Sequence, residues 1–396
     1  MKVGLYNSSL ENSSCGDVYA AVLASVLSQE HRTEIVSCPN TRDPEQFRKS
    51  GQSRVENISY RTMAPAPQLV SDPNRPDRRY EALRAWSHEL TRPYDLFINL
   101  TDRLPVFSSA RQSVLVIQFP YDFIPSFYQT FWLAHLHSYQ LKIANSYYTQ
   151  YWTRVFWEID ARVVHPPVPL HPVAESKDNL IVSFGRFDAA QPHRQLKLIS
   201  AFKLLKNDLP TWSFSLIGDL SQNRSDQGFF AAVCDAARTA DINVVANPTF
   251  DQETELLRRA KIIWLASEVE QELDFYPEGS HSFDLKLVQA MSTGCVPIVN
   301  NFGALSEVIR HRENGFFWYQ LSELLERTLE LAGSETHFQA MTRTARMRAL
   351  DFRRDRFIDS FMKQLEEAFG ISSAARTIVR LKRLFSAAGQ FLPTRR

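Results

Sequence analysis

Two arginines and a glycine lie where a predicted buried strand ends. The apolar run from Leu180 to Phe184 is followed by Gly185 and Arg186, and Arg194 comes eight residues later at the start of a helical pattern. Arginine forks and the free N–H groups of a helix N-terminus bind phosphate oxygens. The spacing favours a diphosphate site, because a departing diphosphate builds negative charge that needs fixed donors. Taken alone, Arg186 is equally compatible with an ordinary surface arginine.

A polar loop, a helix and a buried strand follow one another between Pro277 and Val299. Free amides at the start of that helix can meet phosphate or sugar oxygens. His281 and Gln289 are eight residues apart, so they are not neighbours on one helix turn. A loop residue and a helix residue can nevertheless face the same cleft. The alternative for His281 is an incidental loop histidine.

The elements that would position these residues form an alternating pattern. Short runs rich in Val, Ile, Leu and Phe recur along the chain, and many precede helical patterns, which indicates parallel sheets covered by helices. From about Asn40 to Arg79 the composition predicts a long irregular excursion. We predict strands at Val3 to Tyr6, Thr33 to Ser37, Leu96 to Asn99, Val114 to Phe119, Leu141 to Ala144, Ala161 to Val164, Leu180 to Phe184, Ser213 to Ile217, Asn243 to Val245, Ile262 to Leu265 and Val296 to Val299.

A proline-rich segment divides the chain. Residues His165 to Pro172 include four prolines in eight residues, which can neither continue a helix nor lie inside a sheet. We predict an α/β fold with two Rossmann-like domains, 1–168 and 169–350, facing each other across a cleft. Residues 351–396 are predicted to be C-terminal helices. Two such domains across a cleft are a frame for a nucleotide-containing ligand.

Composition excludes several classes of function. The 396 residues carry 45 basic and 44 acidic side chains, so no global field attracts nucleic acid. The four cysteines have no CxxC or Cys/His ligand spacing and are predicted to be reduced thiols of a cytoplasmic protein. No segment reaches about eighteen uninterrupted apolar residues, so no membrane span is predicted.

Three segments, in order, resemble retaining glycosyltransferases of the GT-B fold, specifically glycosyltransferase family 4. They are Ile143 to Thr149 with Trp157 and Val164 to Val168, then Gly185 to Phe187 with Arg194 to Phe202, then Phe283 to Val299 with Phe302 to Ile309 and Asn314 to Phe316. The Gly-Arg-Phe passage and Met291 to Pro297 are most similar to the branch that contains the α-mannosyltransferases of lipid-linked oligosaccharide assembly.

The resemblance implies a role for each matching position in donor binding. Gly185, Arg186 and Arg194 would lie at the donor diphosphate. Phe283, Asp284 and Leu285 would approach the sugar and phosphates through their backbone, and Lys286 would add a cation. The two glutamates of the family fall on His281 and Gln289, of which Gln289 can still accept from ribose hydroxyls through its amide oxygen.

In the domain of residues 1–168, which would bind the acceptor, Gln118 stands where the family often has a histidine. Gly16 lies where the family keeps glycines that let the backbone approach phosphates and acceptor. The residues predicted to take part directly in catalysis are Arg186, Arg194, His281 and Gln118.

The implied activity is transfer of a sugar from a nucleoside-diphosphate sugar to a glycan or lipid-linked acceptor in cell-surface polysaccharide or glycoconjugate synthesis. The leaving diphosphate would help to take the acceptor proton, so no protein nucleophile is needed. No metal and no cofactor beyond the nucleotide-sugar co-substrate are implied, because no Asp-x-Asp occurs in a plausible cleft loop. Thr377 to Phe385 combines apolar and basic residues, which favours either a closing helix or peripheral contact with the inner face of the membrane.

Two other functions fit parts of the sequence. The replaced glutamates and Gln118 support a catalytically degenerate GT-B scaffold that binds a nucleotide sugar or a partner enzyme. A nucleotide-sugar epimerase or a phosphorylase of similar fold would need an extra catalytic acid or a lysine-bound cofactor, which the sequence does not indicate. Formation of a glycosylated product distinguishes a transferase from a scaffold. Dependence on inorganic phosphate distinguishes a phosphorylase from both.

Overall fold

A computed structural model describes residues 1–8, 15–38, 58–67, 76–100, 105–119, 129–174, 176–190, 193–238, 240, 242–266 and 283–371. The chain forms two compact units. The first comprises Met1–Pro169 and the segment that begins at Arg353, and the second is Leu170–Phe352. His281 and Thr377 to Phe385 lie outside the described residues.

The first unit is built on a seven-stranded sheet in which every pairing is parallel. Its order is β3-β2-β1-β4-β5-β6-β7, so the chain winds outward from β1 in one direction and then from β4 in the other. The carboxyl ends of β1 and β4 therefore form a topological switch point, where open α/β sheets bind ligands. The strands are β1 (Lys2–Tyr6), β2 (Arg32–Ser37), β3 (Ile58–Thr62), β4 (Leu96–Asn99), β5 (Gln112–Ile117), β6 (Leu141–Ala144) and β7 (Arg162–Val163).

Helices pack on this sheet through apolar and aromatic side chains. The ring of Tyr6, on β1, lies 5.9 Å from that of Trp86. Tyr19 packs edge-on against Phe357 of the last helix at 5.0 Å, which fixes the returning segment to this unit. The helices are α1 (Cys15–Leu27), α2 (Pro76–Thr91), α3 (Gln129–His137), α4 (Tyr147–Trp157) and, after the return, α12 (Arg354–Phe369).

The second unit is also built on a parallel sheet, which has six strands in the order β10-β9-β8-β11-β12-β13. The winding direction changes between β8 and β11, so their carboxyl ends form the switch point of this unit. The strands are β8 (Asp178–Phe184), β9 (Ser213–Gly218), β10 (Asn243–Ala246), β11 (Ala260–Leu265), β12 (Val296–Asn300) and β13 (Phe316–Trp318).

An aromatic core holds the second sheet to its helices. Phe202, Phe214 and Trp264 are fully buried and pack in sequence at tilted angles, with ring centroids 5.5 and 5.2 Å apart. The indole N–H of Trp264 donates to Thr328 Oγ1 at 3.1 Å, so the buried polar atom is satisfied. The helices are α5 (His193–Leu205), α6 (Arg224–Arg238), α7 (Phe250–Arg259), α8 (Leu285–Ser292), α9 (Leu305–Val308), α10 (Leu321–Ala332) and α11 (Glu335–Ala349), followed by a 3₁₀ turn at Leu350–Phe352.

The predicted α/β class is confirmed, and each predicted strand overlaps an observed one. The prediction of an irregular excursion is wrong at Ile58–Thr62, which forms the edge strand β3. Its residues are half or fully exposed, so it lacks the apolar run used to predict strands. Phe316–Trp318 also forms a strand that was not predicted. Within the described part of the chain, no helix has the length and apolarity to cross a bilayer.

Candidate functional site

A crevice lies at the switch point of the second unit. Gly185 at the end of β8, Ala266 after β11, and Arg194 and Gln195 in the first turn of α5 line it. The structure therefore brings the predicted Gly185 and Arg194 together at the sheet edge where α/β folds bind ligands.

The turn after β8 depends on a close approach between two glycines. Gly185 N donates to Ile217 O at 3.0 Å, which extends the β8–β9 pairing by one residue. A Cβ on Gly218 would lie 1.7 Å from the carbonyl oxygen of Gly185, so no side chain fits at position 218. Gly218 is a site residue that sequence reasoning missed. The sequence feature that could have indicated Gly218 is a predicted strand with a glycine at its end, the same feature that occurs at Phe184-Gly185.

Arg186 is exposed, and its positive charge interacts with the carboxylate of Asp226. The Ala189 N–H donates to Asp226 Oδ1 at 2.9 Å, and the Ser221 hydroxyl also donates to this carboxylate. These two hydrogen bonds, and then the charge of Arg186, hold the pKa of Asp226 below its usual value. The carboxylate therefore stays ionised and fixes the loop that follows Arg186.

Gln195 connects the two predicted arginines. Its Nε2 donates to the backbone oxygen of Arg186 at 2.8 Å, and it is the residue next to Arg194 in α5. Its side chain is nearly buried, with a residue exposure of 5%. The first turn of α5 is thereby tied to the turn after β8. Sequence reasoning assigned Gln195 no function, because its partner is set by the tertiary fold.

The start of α8 is capped by its own sequence. Asp284 is the N-cap residue, and its Oδ1 accepts from Leu287 N at 2.9 Å. Phe283 is buried, and its ring lies 5.3 Å from that of Phe352. Leu285 is buried as well. The carboxylate of Asp284 thus satisfies one helix amide, and Phe283 and Leu285 anchor the loop.

Lys286 already has a charge partner. Its ammonium group forms an ion pair with Glu253 of α7, and both side chains are partly buried. Burial first, and then the charges of Lys286 and Arg258, lower the pKa of the neighbouring His171. The contribution of Lys286 to diphosphate binding stays a prediction, and the ion pair is expected to reduce it.

Gln289 lies on α8 and is buried, with a residue exposure of 6%. This is the position predicted to accept from ribose hydroxyls. His281, predicted to face the same cleft, lies outside the described residues.

A second polar cluster lies at the switch point of the first unit. Gln118 Nε2 donates to Leu100 O at 2.6 Å, and a Cβ on Gly16 would lie 2.7 Å from the same nitrogen. Asn7 Nδ2 donates to the buried carboxylate of Asp17 at 3.0 Å. The structure brings the predicted Gly16 and Gln118 into contact. It adds Asn7 and Asp17, which the sequence did not single out.

The Asn145-Ser146 passage has a structural function. The Ser146 hydroxyl caps α4 by accepting from Thr149 N at 3.0 Å. Thr149 Oγ1 in turn donates to Gln118 O at 3.2 Å. The passage therefore positions the backbone of Gln118 at the end of β5.

No group of three or more His, Cys, Asp or Glu side chains suited to a metal ion occurs among the described residues. The predicted absence of a metal and of a cofactor stays a prediction.

Comparisons with known proteins agree with this geometry. Residues 178–333 match the family described as glycosyl transferases group 1. A search of curated proteins gives no match.

Solved structures of similar fold cover nearly the whole chain. HepE from Anabaena, in complex with UDP and glucose, is 15% identical with a TM-score of 0.65, covering 92% of this chain and 99% of its own. A glycosyltransferase from Rickettsia africae is 14% identical with a TM-score of 0.66, covering 93% and 99%. A UDP-forming α,α-trehalose-phosphate synthase from Burkholderia xenovorans is 12% identical with a TM-score of 0.63, covering 92% and 99%.

At these identities the solved structures establish the fold alone. The chain has the GT-B fold, and the match of its residues 178–333 to the glycosyl transferases group 1 family supports nucleotide-sugar glycosyl transfer.

Proposed function

We propose that this protein is a retaining, metal-independent glycosyltransferase that transfers a sugar from a UDP-sugar to a glycan or lipid-linked acceptor. The proposed setting is synthesis of a cell-surface polysaccharide or glycoconjugate, in the cytoplasm at the inner face of the membrane. Membership in glycosyltransferase family 4, in the branch with the α-mannosyltransferases of lipid-linked oligosaccharide assembly, belongs to the same proposal and rests on the motifs in the sequence.

The crevice at the β8–β11 switch point carries this proposal. Gly185 and Gly218 bring the ends of β8 and β9 close together beside it, and Arg194 supplies a cation beside the free amides of α5. Backbone donors at a helix N-terminus and an arginine fork suit a diphosphate. The match of residues 178–333 to a glycosyl transferases group 1 domain covers all of these residues.

The choice of UDP rests on the solved structures of similar fold. HepE has been crystallised with UDP-glucose, and the Burkholderia enzyme is described as UDP-forming. TarM from S. aureus, 11% identical over 72% of this chain with a TM-score of 0.54, was solved with UDP as well. These are properties of those proteins, and they support uridine as the base for this one.

The proposed mechanism needs no protein nucleophile. Arg186 and Arg194, with the first amides of α5 and α8, would stabilise the charge that develops on the leaving diphosphate. The oxygen of that diphosphate would take the acceptor proton on the same face of the sugar. Gln289 would accept from the ribose, and His281 would lie beside the transferred sugar.

The acceptor side of the proposal uses the first unit. Gly16 leaves room for the amide of Gln118, which donates to Leu100 O just after β4, and the buried Asp17 lies in the same cluster. Polar side chains at a switch point suit the hydroxyl groups of a sugar acceptor. Peripheral membrane contact through the basic residues of Thr377 to Phe385 would bring the enzyme to a lipid-linked acceptor.

Isothermal titration calorimetry with UDP, GDP and ADP tests the donor site. We expect UDP to bind most tightly, and Arg194→Ala to weaken UDP by about 30-fold, the loss typical of a charge-assisted hydrogen bond. Arg238→Ala is the matched control, because Arg238 lies exposed on α6 and pairs with Asp235. Binding of no nucleotide, or equal UDP affinity in Arg194→Ala, would contradict the proposal.

A catalytically degenerate scaffold is the second candidate function. It is favoured by Gln289, which stands where the family has a glutamate, and by the Lys286–Glu253 pair, which offsets a cation at the start of α8. The two functions differ in one result. A scaffold would bind UDP but release none from any UDP-sugar, whereas an enzyme would turn over at least one of them.

A further inference from the structure

Gln195 contains a buried acceptor that no described residue satisfies. Its Nε2 is committed to Arg186 O at 2.8 Å, while its Oε1 is buried and accepts no hydrogen bond from the described part of the chain. The residue lines the crevice between β8 and β11. Leaving a buried acceptor unmatched costs stability, so such atoms in native folds normally have a partner.

Most of the crevice wall cannot supply that partner. Leu198, Leu216, Leu265 and Ala266 contribute apolar side chains, and the hydroxyl of Ser183, which also lines the crevice, forms no hydrogen bond with Oε1. Arg194 is adjacent to Gln195 in the first turn of α5 and is the cation proposed for the diphosphate. A partner for Oε1 is therefore expected from the molecule that occupies the crevice.

The chemistry of that molecule limits the partner. A diphosphate at neutral pH has only acceptor oxygens, so it cannot donate to Oε1. In a nucleotide sugar the diphosphate joins the 5′ carbon of the ribose to the anomeric carbon of the transferred sugar, so the two sugars flank it and the base lies beyond the ribose. A side chain next to the phosphate-binding arginine is thus within reach of a ring hydroxyl.

We infer that Gln195 is a specificity-determining residue of the donor site, whose Oε1 accepts a hydrogen bond from a ring hydroxyl of the bound nucleotide sugar. Nε2 fixes the turn that contains Gly185 and Arg186. The same amide group therefore orders the phosphate-binding turn through Nε2 and binds a hydroxyl group of the adjacent sugar through Oε1. This inference rests on the proposed function. The hydroxyl belongs either to the ribose or to the transferred sugar, and the experiment separates the two.

The experiment combines a change in the protein with a change in the ligand. Calorimetry would measure UDP, 2′-deoxy-UDP, 3′-deoxy-UDP and UDP-glucose binding to the wild type and to Gln195→Leu. Gln339→Leu is the control, because Gln339 is an exposed glutamine on α11 that bonds to Glu335. For the wild type, loss of the recognised hydroxyl should weaken binding about 10-fold, and in Gln195→Leu this difference should disappear.

The pattern identifies the source of the hydroxyl. A deoxy-UDP penalty that vanishes in Gln195→Leu assigns Oε1 to the ribose. A loss of UDP-glucose affinity in Gln195→Leu that exceeds its loss of UDP affinity, with the deoxy-UDP penalties unchanged, assigns it to the transferred sugar.

A purely structural function for Gln195 predicts something else. Loss of the Nε2 bond to Arg186 would weaken all four ligands by the same factor, and that uniform loss would overturn the inference while leaving the donor site intact. Unchanged binding of all four by Gln195→Leu would overturn it as well. Failure of the wild type to bind any of them would overturn both this inference and the proposed function.

Discussion

The carbonyl oxygen of Gly185 occupies the space that a side chain on Gly218 would need, with 1.7 Å between that oxygen and a Cβ built on Gly218. Two strand ends meet there without intervening side chains, and the proposed diphosphate site lies at this edge.

Gly218→Ala should lower the free energy of unfolding by about 1–3 kcal/mol, as expected for overpacking, because backbone must move to admit the methyl group. The same shift should weaken UDP binding by displacing Gly185. Urea denaturation and calorimetry measure the two effects. Gly228→Ala is the control, since a Cβ there meets nothing within 4 Å and should stabilise α6 by about 0.5–1 kcal/mol. Equal stability of Gly218→Ala and wild type would contradict the packing described here.

The Lys286 side chain should contribute less to UDP affinity than the Arg194 side chain does. Its charge is matched by Glu253, so Lys286→Met removes a cation that is already partly neutralised. We expect about a 3-fold loss of UDP affinity in Lys286→Met, against about 30-fold in Arg194→Ala. If Lys286→Met were the more damaging of the two, the ion pair would not persist in the donor complex.

Gly16 and Gln118 should be coupled. In Gly16→Ala the new methyl group would meet Gln118 Nε2 at 2.7 Å, so acceptor turnover and stability should both fall. Gln118→Ala removes the atom that clashes, and the stability loss caused by Gly16→Ala should shrink in that background. A double-mutant cycle by urea denaturation measures the coupling. Strictly additive losses would show that the two residues do not constrain each other.

The stability of the first unit should fall in mild acid. Burial first, and then Arg84, lower the pKa of His135 from 6.5, while its bond to Pro105 O opposes this change. Because the folded form has the lower pKa, protonation favours the unfolded chain, so this contribution is present above pH 6.5 and is lost as the pH falls below it. His135→Gln should make the urea midpoint less dependent on pH between about 7.5 and 5.5.

The sequence predicts the framework well because parallel sheets use uninterrupted apolar strands. The run ending at Phe184, followed by Gly185, correctly indicated a strand end, and the spacing to Arg194 indicated the helix beside it. Both features are local in the chain. The half-exposed strand β3 lacks that local pattern, which is why it was not predicted.

Features of the site that depend on tertiary contacts were not predictable. Gln195 bonds to a residue nine positions away, and Lys286 pairs with Glu253, which is 33 positions away. Gly218 is required by the path of another strand. A residue type and its spacing do not specify such partners, because they arise only when separate elements pack together.

Release of UDP from a panel of UDP-sugars, followed by NMR of the first sugar anomer formed, tests the central claim most directly. The wild type is predicted to release UDP from one sugar with the α-anomer appearing first, and Arg194→Ala is predicted to lose about 100-fold in rate, as for removal of a donor that stabilises the transition state. Release of the β-anomer first would contradict retention. Binding of UDP without release from any UDP-sugar would contradict transfer and establish the scaffold instead.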